Sequence, residues 1–240
     1  ILNKTEELQR IIAGRDKLYS VIAHDLRSPM GSIKMVLNML MLNLPVEKIG
    51  GEMYELLTMA NRTTEDVFSL LDNLLKWTKS QIGNLNVVYQ DVDAVEVVDS
   101  VIDVFNMVAG LKKITIREEK PEKLPVCTDI DMLKTIIRNL LSNAIKFSNE
   151  NSEVLVKMEE QGDTMVVSVK DSGCGIDEEG QQKLLHTDTH FSTFGTNNEE
   201  GSGLGLLLCQ DFAVKSGGKL WFTSKKGEGS TFYFSIPLKK

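Results

Sequence analysis

The chain has 240 residues, of which 42% are hydrophobic and 25% charged. That is a globular balance for one large domain or two ordinary ones, and it argues against disorder. The formal net charge of -7, with no dense Lys/Arg stripe, gives no electrostatic footprint for nucleic acid.

Cys127, Cys174 and Cys209 lie far apart and form no C-x-x-C pair, so neither a zinc site nor a disulfide framework is signalled and a reducing compartment fits. No uninterrupted apolar run reaches the length of a membrane span; the densest, 33–44, is broken by Lys34, Asn38 and Asn43. No stretch reads as a signal peptide. The opening at Ile1, without Met and inside a polar helical pattern, is read as that of a fragment.

The first third predicts two long amphipathic helices. Leu18, Ile22, Leu26, Met30, Ile33, Leu37, Leu40 and Leu44 recur at steps of three and four, extended upstream by Leu8, Ile11 and Ile12. Pro45 and Gly50-Gly51 end that stripe. A second runs through Met53, Leu56, Ala60, Thr63, Val67, Leu71, Leu74 and Ile82. A hairpin of two such helices cannot bury both stripes alone. Pairing with a second copy into a four-helix bundle is the natural solution, a monomeric hairpin packed on the rest of the chain being the alternative. Pro29 removes a backbone donor inside the first helix and predicts a kink or a weak point there. His24 lies nearly opposite Ile22 and Leu26 on the helical wheel and should face solvent. Asp25 beside it is placed to orient the ring, leaving the other nitrogen to attack.

Residues 84–91 read as an extended linker. A helix over 93–109 follows, then short β-type runs at 114–117 and 126–128, a helix over 129–147, strands at 154–158 and 165–169, a helix around 206–214, and strands at 220–223 and 231–236. This order predicts an α+β sandwich, one mixed sheet with helices on one face. On the 129–147 helix, Leu133, Ile136, Ile137, Leu140, Leu141 and Ala144 form the core face, while Asn139, Asn143 and Lys146 share the opposite side. Asn competes with the helix backbone, so two Asn and a Lys on one face point to chemistry, with amide oxygens suited to Mg²⁺ and an ammonium suited to phosphate. A plain solvated face is the other reading. Asp171-Ser172-Gly173-Cys174-Gly175 follows a strand; its glycines would let backbone approach a ligand and its carboxylate could accept from a base, unless the string is only a tight turn. Gly201-Ser202-Gly203-Leu204-Gly205 opens a helix whose N–H groups could cradle phosphate. It is neither a Walker loop nor a dinucleotide fingerprint. The polar stretch 177–200 between the glycine clusters, with Phe191 and Phe194 as its only aromatics, is read as a mobile lid.

The order Asn-x-x-x-Asn-x-x-Lys, D-x-G-x-G, lid, G-x-G-L-G-L resembles the Bergerat ATPase fold that histidine kinases share with type II topoisomerases and mismatch-repair ATPases. His24-Asp25-Leu26-Arg27-Ser28-Pro29 resembles the histidine-kinase H box, with Asp in place of the commoner Glu. The resemblance covers essentially the whole chain. It implies a dimerisation and histidine-phosphotransfer hairpin over 1–83 (a four-helix bundle on homodimerisation), a linker over 84–92, and a Bergerat-type α+β sandwich over 93–240.

By the same resemblance, His24 is the phosphoacceptor and Asp25 its orienting partner. Ser28 sits where the family often places a residue that positions water for dephosphorylating the regulator. Asn143 ligates Mg²⁺ with Asn139 beside it, Lys146 meets phosphate, and Asp171 accepts from the adenine amine. Gly173 and Gly175 admit the base, and Gly201, Gly203, Leu204 and Gly205 wrap the phosphates. Phe191 and Phe194 resemble the F-x-x-F of the kinase lid, whereas His186 and His190 match no phosphoacceptor motif. Lys215-Ser216-Gly217-Gly218 departs from the family's frequent His-Gly-Gly. The implied activity is ATP- and Mg²⁺-dependent autophosphorylation, followed by transfer to an Asp of a response regulator receiver domain. The setting is cytoplasmic, with any membrane anchor in segments outside this sequence. The rival readings are a topoisomerase- or repair-type ATPase and a dimeric scaffold without nucleotide.

Overall fold

A computed structural model describes residues 22, 25–44, 50–81, 87–184, 195–196 and 203–239. His24, Phe191, Phe194, His186, His190 and Gly201 lie outside the described residues. The chain divides into two compact units, Ile1–Asn86 and Val87–Lys240.

In the first unit, helix α1 occupies residues 25–43 and α2 occupies Gly51–Gln81. α1 is helical through Pro29. The two helices meet through a small core in which Leu71 and Leu75 are buried against Met30 and Leu74. Arg27 pairs with Asp72 and lies 5.8 Å from the Phe68 ring centroid, while Lys34 reaches Glu65 at 3.4 Å. Ile22, Leu26, Ile33 and Leu40 of the first predicted stripe, and Met53, Leu56 and Val67 of the second, remain exposed. Burial on α2 instead includes Thr64 and Thr78, each bonding a carbonyl of its own helix. No helix among the described residues is long and apolar enough to cross a membrane.

The second unit begins with strand β1 (Gln90–Asp93), which overlaps the end of the stretch read from sequence as linker. There follow α3 (Ala94–Leu111), β2 (Thr115–Glu119), β3 (Pro125–Thr128), α4 (Ile130–Phe147), β4 (Glu153–Gln161), β5 (Thr164–Lys170), α5 (Glu178–Lys183), α6 (Leu204–Lys215), β6 (Lys219–Lys225) and β7 (Gly229–Pro237). The single mixed sheet expected is in fact two. β1 and β3 form an antiparallel pair, and the other five strands run in the order β2-β4-β5-β7-β6. β2 is parallel to β4, and the remaining neighbours are antiparallel.

Alternation fixes which sheet face is core. Val154, Val156 and Met158 of β4, Met165, Val167 and Val169 of β5, and Phe232, Phe234 and Ile236 of β7 are all buried. In register, Val167 stands opposite both Met158 and Phe234. The apolar stripes of α3, α4 and α6 pack with this face and with each other through Ile102, Ile137, Leu141, Leu208 and Phe212. The opposite face is partly exposed and carries the stacked Trp221–Tyr233 pair, with ring centroids 5.3 Å apart. α3 and α4 start at Asp93 and Asp129, whose side chains accept from the first free N–H groups of their helices.

Candidate functional site

Helix α4 presents two kinds of polar residue. Asp131, Arg138 and Ser142 are exposed, whereas Asn139, Asn143 and Lys146 are half-buried. The side singled out from sequence is therefore not a plain solvated face. Asn139 Nδ2 donates to Thr135 O at 2.9 Å, which fixes the amide on the helix surface. A Cβ on Gly205 would lie 2.6 Å from Asn139 Oδ1, so the first turn of α6 rests against this amide. A side chain at 205 would have to displace this amide.

α6 begins at Gly203, with φ +67 and no side-chain cap. The left-handed backbone there suits glycine, and the positive end of the helix dipole at this start suits an anion. The same helix buries Leu208, Cys209, Phe212 and Ala213, and that burial fixes its direction. Burial pushes the Cys209 thiol far above its ordinary range.

Asp171 ends β5 and is 3% exposed. Its Oδ1 accepts from Gly173 N at 2.9 Å and Ser230 N at 3.1 Å, and its own N–H donates to Ser230 O at 2.9 Å. No described residue donates to Oδ2. Burial raises the Asp171 pKa, with the Gly173 and Ser230 amides opposing the shift by stabilising the anion. The carboxylate is therefore rigid, desolvated and one-sided.

The following loop is held by close backbone contacts. A Cβ on Gly173 would lie 2.0 Å from Phe147 O at the end of α4, and one on Gly175 would lie 2.0 Å from Lys225 O. Gly227 N donates to Cys174 O at 2.7 Å, and Ile176 N to Ser224 Oγ at 2.9 Å. Glycine is thus required for close approach, not merely for a turn. Next, Asp177 caps α5 through Gly180 N at 3.0 Å and pairs with Lys226 at 3.2 Å.

The structure brings Asn139, Asn143, Lys146, Asp171, Gly173, Gly175, Gly203, Leu204 and Gly205 into one region built on α4, the β5 exit and the α6 start. Asp25 and Ser28 are exposed on α1, in the other unit. Lys146 Nζ lies 4.8 Å from the Phe147 ring centroid. Sequence reasoning missed Ser230, whose backbone holds Asp171, and also Lys112 and Thr196. Lys112 Nζ donates to Ile145 O at 3.0 Å, Lys146 O at 2.9 Å and Thr196 Oγ1 at 2.6 Å. No sequence signal marks Ser230, because its contribution is main-chain.

A two-layer α/β sandwich in which a polar helix face, a glycine-flanked buried carboxylate and an uncapped glycine-rich helix start converge defines a nucleotide-binding class of domain. Residues 128–240 match the family described as histidine kinase-, DNA gyrase B- and HSP90-like ATPase. The chain is 29% identical over 238 residues to the adaptive-response sensory kinase SasA of Crocosphaera subtropica, covering 97% of this chain and 62% of that one. It is 33% identical over 247 residues to the sensor protein KdpD of Clostridium acetobutylicum, covering 99% of this chain and 27% of that one. It thus spans about six-tenths of the SasA length. Among solved structures it is similar to the catalytic domain of histidine kinase ThkA, with TM-score 0.56 and 29% identity over 63% of this chain and 97% of that one. It also shares the fold of full-length ShkA, crystallised with AMPPNP, with TM-score 0.70 and 20% identity over 92% of this chain and 45% of that one.

Proposed function

We propose that the chain is the cytoplasmic catalytic region of a two-component sensor histidine kinase. It binds ATP with Mg²⁺, transfers the γ-phosphoryl group to His24, and passes it on to an Asp of a response regulator receiver domain. The observation that carries this reading is the meeting of three sequence-distant segments: Asn139 against Gly205, the end of α4 against Gly173, and the buried Asp171 beside them.

In this reading Asp171 Oδ2 accepts from the exocyclic amine of adenine, while the Gly173 and Ser230 amides hold the carboxylate in place through Oδ1. Gly173 and Gly175 shape the loop that borders the base through their close contacts with Phe147 O and Lys225 O. Phosphate oxygens meet the N–H groups of Gly203, Leu204 and Gly205, the upstream Gly201, and the Lys146 ammonium. Asn143, with Asn139 beside it, is a fitting oxygen donor for a hard cation. Bound Mg²⁺ would offset phosphate charge.

The lone-pair nitrogen of His24 attacks the γ-phosphorus in line. The N–P bond forms as the bridging O–P bond breaks, and ADP leaves. Asp25 accepts from the other ring nitrogen and stabilises the cation that develops. Ser28, one helical turn on, holds water for dephosphorylation of the regulator. Catalysis is positioning and charge neutralisation. The exposed stripes of α1 and α2 support a homodimer in which two hairpins form a four-helix bundle.

Incubation with γ-labelled ATP tests the reading. A kinase acquires acid-labile, base-stable label, and His24→Gln abolishes it. Steady release of free phosphate, unaffected by that substitution, would support the ATPase alternative instead.

A further inference from the structure

The C-terminal turn of α4 is gripped from three directions. Lys112, 8% exposed, donates to Ile145 O and Lys146 O. Thr196 donates its N–H to Lys146 O at 3.1 Å, and its Oγ1 lies 2.8 Å from Ser148 O and 3.1 Å from Lys146 O. Cys174 N faces Phe147 O at 3.4 Å. The last carbonyls of a helix have no partner within it and carry the negative end of its dipole, so a buried ammonium there is well matched. Lys112 also donates to Thr196 Oγ1, which makes the lysine a bridge between the helix end and the chain at 195–196.

An ordinary helix cap would end there, but this one holds the turn that bears Lys146 and on which the Gly173–Cys174 backbone leans. It also pins the connection between α5 and α6 at an internal point. We infer that Lys112 and Thr196 are positioning residues for the nucleotide site: by fixing the end of α4 they set where Lys146 and the Asp171 loop stand, and so set nucleotide affinity without touching nucleotide. The inference rests on the nucleotide-site reading above.

The test is titration of the full chain with ADP in excess Mg²⁺, alongside urea unfolding of each protein. Thr196→Val removes the hydroxyl and keeps the shape. It should weaken ADP about tenfold, the loss of one hydrogen bond's worth of ordering, with little change in the urea midpoint. Thr196→Ser should restore affinity, and Lys112→Met combined with Thr196→Val should weaken ADP by less than the product of the single effects. Thr196→Val that stays folded and binds ADP within about twofold of wild type overturns the inference and leaves the nucleotide reading intact. A wild-type chain that does not bind ADP at all overturns both.

Discussion

Gly205→Ala separates two properties that a core substitution would change together. The new methyl would sit 2.6 Å from Asn139 Oδ1 and 3.3 Å from its Cγ. The obstacle is the end of a side chain, so the amide can swing aside, at the expense of its 2.9 Å bond to Thr135 O. That loss is worth about 1 kcal/mol. Alanine in place of glycine within a helix returns roughly 0.5–1 kcal/mol. The two nearly cancel, so the unfolding free energy should stay within about 0.5 kcal/mol of wild type, read as an unchanged urea midpoint and slope. Nucleotide affinity should fall, because Asn139 has left its place. Calorimetric titration with ADP in Mg²⁺ should show a loss of at least about tenfold. A destabilisation of more than about 2 kcal/mol would mean that Asn139 cannot yield. Unchanged affinity in a stable variant would remove the Asn139–Gly205 contact from the site.

Asp171→Asn should weaken nucleotide by at least about tenfold while leaving the fold intact. The folded-state pKa of Asp171 is raised, so its contribution to stability is fully present below the ordinary value of 3.8 and is lost as pH rises through the folded value. Its ionised form therefore costs stability at neutral pH. The Asn variant should gain on wild type there and lose that advantage on acidification, as measured by urea midpoints across pH. Gly173→Ala, unlike Gly205→Ala, should destabilise strongly, because its methyl meets a backbone carbonyl at 2.0 Å; thermal melting checks this. Ser148→Ala should be neutral or stabilising by up to about 1 kcal/mol in urea unfolding, since the buried Ser148 Oγ has no hydrogen-bond partner among the described residues. A thiol reagent should label exposed Cys174 in the native protein and buried Cys209 only after denaturation.

The parts legible in the sequence are those where one period dominates. The apolar wheel of α4 and the alternation of β4 are readable because each buries chiefly one face. β1 is not, since Gln-Asp-Val-Asp carries no strand signal and pairs only with short β3. Nor is the parallel β2–β4 pairing, which depends on the crossover through β3 and α4. On α2 the buried positions include Thr64 and Thr78, whose hydroxyls bond their own helix, so an apolar stripe alone misjudges that face. The candidate site is readable through its side chains and glycines, not through its supports. Lys112 lies beyond the helix predicted over 93–109 and carries no signal in sequence, because it is buried on carbonyls whose positions only the fold creates. The glycines at 173 and 175 read in sequence as a close approach to a ligand or as a tight turn; their necessity lies in the carbonyls of Phe147 and Lys225, which are remote along the chain.

Peptide mapping of the phosphoryl group decides whether the ATP site serves His24. After brief incubation with ATP and Mg²⁺, digestion at neutral pH should place the phosphoryl group on the peptide of residues 18–27, and Asp171→Asn should leave that peptide unmodified. A phosphoryl group on any other peptide, or an unmodified 18–27 peptide while ATP is turned over to free phosphate, would show that the site does not serve His24.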